Sequence, residues 1–157
     1  MQTKPINRRD ALRLGGTATV GGVAAALAGP AQAAPRIRVA ALADVGPGEP
    51  VWFDYPEGAS AMLVDLGTAV EGGVGPNGSI VAYSALCQHM GCPVDYRHET
   101  KDFFCPCHAS KLDALKGGQA IDGPAPRGLP RITLAVEGDE VFAEGIDGLV
   151  YGFACHA

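Results

Sequence analysis

Short apolar runs, separated by glycine, proline, aspartate or asparagine, recur along the chain after about residue 35. Residues 36–39 alternate between charged and apolar side chains, a pattern that is typical of an edge strand. Residues 51–55 combine valine with aromatic side chains between two prolines. Residues 61–66 and 79–83 are mostly apolar and flank a glycine-rich loop at residues 71–78. Each of the four runs is predicted to be a β-strand.

The last clear pair of apolar runs, residues 132–136 and 140–143, is separated by a short turn that contains Gly138-Asp139. Two β-type runs joined in this way predict a β-hairpin. After residue 33, no segment keeps a helical period of apolar residues over three turns. The sequence therefore predicts an all-β fold, a small antiparallel sandwich or barrel.

Two cysteine–histidine motifs interrupt this β framework. The first is Cys87-Gln88-His89, and the second, after fifteen further residues, is Cys105-Pro106-Cys107-His108. Each motif pairs one cysteine with one histidine at an offset short enough for a single loop. A [2Fe–2S] cluster that has two cysteines on one iron and two histidines on the other needs this ligand set. We therefore predict a cluster-binding subdomain at about residues 86–127.

Cysteine and histidine residues in a pattern like this one have other known uses. A tetrahedral Cys₂His₂ zinc site would need the same ligands, although zinc fingers keep like ligands together as C-x₂₋₄-C and H-x₃₋₅-H. Attachment of c-type haem needs C-x-x-C-H, and Cys105-Pro106-Cys107-His108 is one residue too short. A domain held by disulfides alone would explain the cysteines but not the histidines. Zinc is therefore the alternative that stays open.

The N-terminus has the pattern of an export signal. Arg8-Arg9 precedes a mildly apolar stretch at residues 14–28, and Ala31-Gln32-Ala33 follows as a cleavage site. Paired arginines before a weakly apolar segment are typical of twin-arginine export, which carries proteins to the periplasm. We predict a signal peptide at residues 1–33 and a mature domain at residues 34–157. The alternative is an uncleaved anchor, but the glycines in this stretch weaken membrane insertion.

The charge of the mature chain excludes one class of partner. Removing residues 1–33 takes four of the 12 basic and one of the 17 acidic residues, which leaves 8 basic and 16 acidic residues and a formal charge of −8. Such a chain is not expected to bind nucleic acid. An acidic surface can steer a basic electron carrier towards the protein.

A third loop follows the two motifs, at Gly123-Pro124-Ala125-Pro126. Proline fixes φ and so reduces the entropy that is lost when a loop becomes ordered. We expect Pro124 and Pro126 to form a stiff lid that shields the cluster and tunes its surroundings. The alternative is an ordinary turn before the strand that begins near Arg131.

The ligand motifs and the proline loop resemble those of the Rieske protein family. A second resemblance covers about four-fifths of the chain and is to the small subunit of arsenite oxidase. It is carried by residues 48–51, 72–77, 80–84, 87–93, 129–131 and 147–152. The family resemblance implies a single [2Fe–2S] cluster, with Cys87 and Cys105 on one iron and His89 and His108 on the other.

The resemblance also implies roles for four nearby residues. Cys92 and Cys107 would form a disulfide between the two ligand loops, which the oxidising periplasm would keep closed. Ser110 lies where high-potential Rieske proteins have a hydroxyl that hydrogen-bonds a bridging sulfide. Leu112 stands where those proteins usually have a tyrosine that hydrogen-bonds a cysteine sulfur. With one donor kept and one lost, we expect an intermediate reduction potential.

The resemblance to arsenite oxidase implies a subunit that carries electrons rather than one that transforms a substrate. Its partners would be a large molybdopterin and iron–sulfur subunit that oxidises arsenite, and a soluble cytochrome c or cupredoxin that accepts the electrons. The main alternative is the Rieske subunit of a quinol–cytochrome c oxidoreductase, which would need a membrane anchor and usually the tyrosine that Leu112 replaces.

Overall fold

A computed structural model describes residues 35–56 and 58–153, and these residues form an all-β fold, as predicted. Two three-residue 3₁₀ turns, Leu42–Asp44 and Ala114–Lys116, accompany the strands. The ten strands are β1 (Ile37–Ala41), β2 (Val51–Asp54), β3 (Ser60–Asp65), β4 (Ile80–Ser84), β5 (Asp95–Arg97), β6 (Asp102–Cys105), β7 (Ser110–Asp113), β8 (Gln119–Asp122), β9 (Arg131–Glu137) and β10 (Glu140–Asp147).

The larger sheet has six strands in the order β1-β10-β9-β4-β3-β2, and all neighbouring pairs are antiparallel. Strand β1 lies at the edge of this sheet, as its alternating sequence predicts. Strands β9 and β10 form the predicted hairpin, with Gly138 and Asp139 in the turn. The segment between β3 and β4 is the predicted glycine-rich loop.

The central strands β3 and β4 are buried on both faces, which explains why their sequences are continuously apolar. In β3, Ala61 and Leu63 point into one core cluster, while Met62 and Val64 point into the other. A strand with only one buried face would alternate between apolar and polar residues. The double burial makes these strands a rigid base for the segment that follows β4.

The smaller sheet has four antiparallel strands in the order β5-β6-β7-β8. Its apolar side chains share a core with those of the larger sheet. At this contact the rings of Tyr83 and Phe103 pack edge to face with centroids 5.1 Å apart, and the Tyr83 hydroxyl donates to the Ala114 carbonyl at 3.3 Å. This buried contact fixes the smaller sheet, which supplies the second ligand loop, against the framework that supplies the first.

The predicted signal peptide, residues 1–33, lies outside the described residues. Within residues 35–56 and 58–153, no helix is long and apolar enough to cross a membrane.

Candidate metal centre

The first ligand loop begins at Cys87, three residues after β4 ends. The Cys87 N–H donates to the Cys92 carbonyl at 2.8 Å, and the Gly91 N–H donates to the Cys87 carbonyl at 2.8 Å. Gly91 has φ +74°, a conformation that glycine adopts without strain. These bonds close a tight turn with His89 at its centre.

The second ligand loop is the turn between β6 and β7. Cys105 is the last residue of β6, and it pairs with Ser110, the first residue of β7. The chain reverses within the four intervening residues, and Ala109 has φ +59°. Such a conformation is unusual for a residue with a Cβ and persists only where the surroundings enforce it. Strand pairing therefore holds Cys105 rigidly, while His108 lies on the exposed turn.

The two thiols proposed as iron ligands are both buried, and neither takes part in a disulfide. Burial raises the pKa of the Cys87 thiol above its usual range. Hydrogen bonds from the His89 backbone N–H and from the Ser110 side chain oppose this rise in the pKa. The Cys87 and Cys105 side chains are close enough to hydrogen-bond each other. Two thiols are thus brought together where a metal could displace their protons.

The two imidazoles also converge. The ring centroids of His89 and His108 lie 4.6 Å apart, with an angle of 83° between the ring planes. The Nδ1 atom of His89 is buried and has no hydrogen-bond partner among the described residues. Buried polar atoms in folded proteins almost always have a partner, so an orphaned one needs an explanation. A metal ion bound to this nitrogen supplies that explanation.

Cys92 and Cys107 form the disulfide that the sequence resemblance implies, with Cα atoms 6.5 Å apart. The bond joins the first ligand loop to the second. The sulfur of Cys105 lies within 4.8 Å of both disulfide sulfurs. Because the disulfide occupies two of these three sulfurs, the three do not themselves form a metal site. The role of the pair is to hold the ligand loops together.

The proline loop packs against the start of β7 through Gly123 and Ala125. A Cβ on Gly123, which has φ +82°, would lie 2.5 Å from the Cα of Ser110, so the loop can approach this closely only with glycine. The Ala125 N–H donates to the Ser110 hydroxyl at 3.1 Å. Pro124 and Pro126 are exposed, whereas Ala125 between them is buried. The loop therefore covers Ser110 and fixes its side chain.

Leu112 is completely buried and lies two residues after Ser110 on the same face of β7. It pairs with Phe103 on β6 and belongs to the same core cluster as Cys87 and Cys105. A side chain that cannot donate a hydrogen bond therefore occupies the core at this position.

One residue next to the site, Tyr151, was not found from the sequence. Its ring packs directly on the backbone of Gly91. A Cβ built on Gly91 would lie only 2.4 Å from Cδ1 of the ring. The sequence contains no local signal for this contact, since strands β9 and β10 bring the two distant segments together.

The donor set fits a [2Fe–2S] cluster. Two buried thiols lie together, two imidazoles face each other, and one of those imidazoles has a buried nitrogen without a partner. Thiolates and imidazoles are the ligands of a Rieske centre, and a Cys₂His₂ zinc site uses the same atoms. The ligand types alone therefore define a metal-binding β protein of one of these two kinds.

Comparison with known proteins separates the two kinds of site. The family model of the Rieske [2Fe–2S] domain matches residues 36–133, and this chain belongs to that family. Its cofactor is accordingly a [2Fe–2S] cluster, which confirms the prediction from the ligand motifs.

Two relatives differ in how much of the chain they match. The iodate reductase subunit IdrB of Pseudomonas sp. (strain SCT) is 37% identical and aligns with 94% of this chain and 83% of its own length. The cytochrome bc1 complex Rieske iron–sulfur subunit of Corynebacterium diphtheriae is 44% identical, but over only 38% of this chain and 15% of its own length. The similarity to IdrB thus extends well beyond the part shared with the bc1 subunit.

Among solved structures, the soluble domain of the Rieske protein II (soxF) from Sulfolobus acidocaldarius superposes with a TM-score of 0.64. The two chains are 28% identical, and the match covers 71% of this chain and 78% of the other. The fold is therefore that of a Rieske protein, and the chain is an electron-transfer subunit of the Rieske type.

Proposed function

We propose that this chain relays single electrons between a larger catalytic subunit and a soluble electron carrier. The observation that carries the proposal is the convergence of two buried thiols and two imidazoles in a chain that is similar to IdrB over 94% of its length. One such site within the described residues suits a chain of this size to pass electrons, while a partner transforms the substrate. When bound, the cluster supplies one-electron transfer.

Within the site, each loop gives one ligand to each iron: Cys87 and Cys105 hold one, and His89 and His108 the other. The buried thiols are shielded by the core, whereas His108 is exposed. The histidine end is therefore the end that a redox partner can approach. Neutral imidazoles favour ferrous iron more than anionic thiolates do, so this end also accepts the electron.

The proposed substrate of the partner subunit is an oxyanion. The sequence resembles the small subunit of arsenite oxidase, and the relative IdrB is named as a subunit of iodate reductase. Arsenite and iodate are both small oxyanions, but arsenite loses electrons when converted whereas iodate gains them. Arsenite oxidation remains our first candidate, and iodate reduction is the second because of the similarity to IdrB.

The direction of electron flow distinguishes these candidates. This chain would be tagged and purified from its native host with its large partner, without oxygen. Arsenite added to the oxidised complex is expected to bleach the visible absorption of the Rieske centre. Iodate added to the chemically reduced complex would instead restore the absorption if the complex is an iodate reductase. The His108→Cys variant is the control, because a third thiolate makes the site more anionic, lowers its potential and impairs transfer.

Two outcomes would contradict the oxyanion proposal. If neither arsenite nor iodate changed the absorption while a quinol reduced it, the chain would serve a quinol–cytochrome c oxidoreductase. If the tagged chain purified without any large partner, the proposal of a catalytic subunit would be wrong.

We further propose that the chain is exported to the periplasm by the twin-arginine route. The support is the order Arg8-Arg9, apolar stretch and Ala31-Gln32-Ala33 in the sequence. Replacing both arginines by lysine should keep the chain in the cytoplasm, as measured by cell fractionation. N-terminal sequencing of the exported chain should begin at residue 34, and a start at residue 1 would mean an uncleaved anchor.

A further inference from the structure

The segment after β10 carries the aromatic ring that lies on the first ligand loop. A Cβ built on Gly91 would be 2.4 Å from Cδ1 and 2.8 Å from Cε1 of Tyr151. Real Cβ atoms do not approach ring carbons so closely, so the ring is in direct contact with the Gly91 backbone. The absence of a side chain at Gly91 is what allows the ring to reach the loop.

Gly91 is the residue that closes the turn around His89. Its N–H donates to the Cys87 carbonyl at 2.8 Å, and its positive φ turns the chain back towards Cys92. The contact of the ring with Gly91 is therefore made at the part of the loop that sets the positions of its two proposed ligands, Cys87 and His89. Met90, between the ligand and this glycine, is 59% exposed and offers the loop little support of its own.

The ring is held in place by the residues around it. Val150 is buried, and its carbonyl accepts a hydrogen bond from the Phe153 N–H at 3.2 Å. Gly148 lies against Pro130, with the position of its missing Cβ 3.5 Å from the proline side chain. Tyr151 itself is 41% exposed, so one side of the side chain covers the loop and another faces solvent. The segment at residues 148–153 therefore holds the Tyr151 ring in one position over the first ligand loop.

We infer that Tyr151 is a positioning residue for the first ligand loop, and that its ring controls both how firmly the chain retains its cluster and the reduction potential of the site. The ring limits opening of the turn and keeps water from the backbone of residues 87–91. Water stabilises the reduced site, which carries one more negative charge, so exclusion of water lowers the potential. The inference rests on the proposed role of His89 as an iron ligand.

The test compares the full chain with its Tyr151→Ala and Tyr151→Phe variants, each purified with the cluster. Loss of the cluster to an iron chelator is followed by visible absorbance, and the potential by redox titration. Tyr151→Ala should lose the cluster about tenfold faster, the size of effect typical of residues that support metal ligands. Its potential should be higher than that of the unaltered chain. Tyr151→Phe keeps the ring carbons that make the contact, so it should behave like the unaltered chain.

A second pair of variants tests the contact directly. Gly91→Ala places a methyl group against the ring, so it should accelerate cluster loss more in the unaltered background than in the Tyr151→Ala background. The cost of a positive φ is the same in both backgrounds, and so it cancels in this comparison. Trp52→Ala, which removes a ring that is 51% exposed on the edge strand β2, is the control and should change neither quantity.

Failure of this inference can be told apart from failure of the ligand assignment. A purified chain without iron and sulfide would overturn the ligand assignment. A loaded Tyr151→Ala variant with unchanged cluster loss and unchanged potential would overturn only the role of Tyr151. Faster loss with an unchanged potential would also overturn it, because the ring would then act as an ordinary structural contact.

Discussion

The Ser110 hydroxyl connects the proline loop to the thiol of Cys87, a proposed iron ligand. Its oxygen accepts a hydrogen bond from the Ala125 N–H at 3.1 Å, which leaves its proton for the Cys87 sulfur. A donor at sulfur stabilises the more negative, reduced state of the site. Strand pairing with Cys105 and the close approach of Gly123 fix the hydroxyl in this position.

Ser110→Ala should therefore lower the reduction potential. A hydrogen bond to a charged group is worth roughly 1.5–3 kcal/mol. At about 59 mV per tenfold change for one electron, this corresponds to a decrease of up to roughly 130 mV. Redox titration measures the change, and Ser79→Ala, at another buried serine, is the control. An unchanged potential would mean that the Ser110 hydroxyl does not act on the site.

At single residues, the sequence was informative where the chemistry depends on spacing along the chain. The offsets within the two motifs were enough to select Cys87, His89, Cys105 and His108 as candidate ligands. Contacts between distant segments leave no such trace. The ring of Tyr151 reaches Gly91 only because β9 and β10 bring the segment at residues 148–153 back to the first ligand loop.

At the scale of elements, the close packing of the proline loop on β7 depends on Gly123. A methyl group there would clash with the Ser110 backbone at 2.5 Å, and φ is +82°. Gly123→Ala should lower the free energy of unfolding by roughly 2–4 kcal/mol, of which about 1–2 kcal/mol is the cost of the positive φ. The measurement is denaturant unfolding.

Gly117→Ala is the matched control for this prediction. Gly117 lies between β7 and β8 with φ +65°, but a Cβ there would meet nothing within 4 Å. It should show only the cost of the positive φ. Equal destabilisation by the two substitutions would contradict the proposed tight contact between the proline loop and β7.

The β5–β6 hairpin is closed by a buried carboxylate. Asp102 accepts hydrogen bonds from Arg97 and from the Thr100 hydroxyl, and these hold the pKa of the Asp102 carboxyl below its usual range. A depressed pKa stabilises the fold above the unfolded-state value of about 4, and this contribution is lost as the pH falls through the folded-state value.

Asp102→Asn should lower the free energy of unfolding by about 1–2 kcal/mol at pH 7. The effect is smaller than for a fully buried ion pair, because the Arg97 side chain is 38% exposed and solvent screens its charge. The difference from the unaltered chain should shrink towards pH 3. Thermal midpoints at a fixed scan rate between pH 7 and pH 3 measure this, with the exposed Asp54→Asn as control. A difference that stays constant with pH would contradict the role of the ionised carboxylate.

The strands that could be predicted best are those whose buried side chains form a long run of apolar residues in the sequence. Strands β3 and β4 were found as apolar runs, and the β9–β10 hairpin was found from its turn. The smaller sheet was not predicted, because its strands are only three or four residues long. In β8, three of the four residues are exposed, so the pairing with β7 leaves no periodic signal in its sequence.

For the whole molecule, the net charge determines which carriers the chain attracts. The mature chain would have a formal charge of −8, from 16 acidic and 8 basic residues after removal of residues 1–33. Electron transfer to a basic cytochrome c should therefore slow as ionic strength rises, because salt screens charges beyond about 10 Å at 0.1 M.

Stopped-flow kinetics with the reduced chain and a basic or an acidic carrier would test this prediction. The rate with the acidic carrier should rise with salt, because screening then weakens a repulsion. Equal salt dependence with both carriers would show that net charge does not steer the encounter.

We propose that two thiols and two imidazoles of one chain hold a two-iron centre. The decisive measurement is the content of iron, zinc and acid-labile sulfide in the purified mature chain. We expect two irons and two sulfides per chain, without stoichiometric zinc. One zinc ion per chain without labile sulfide would contradict it, because the same four residues would then form a Cys₂His₂ site that carries no electrons.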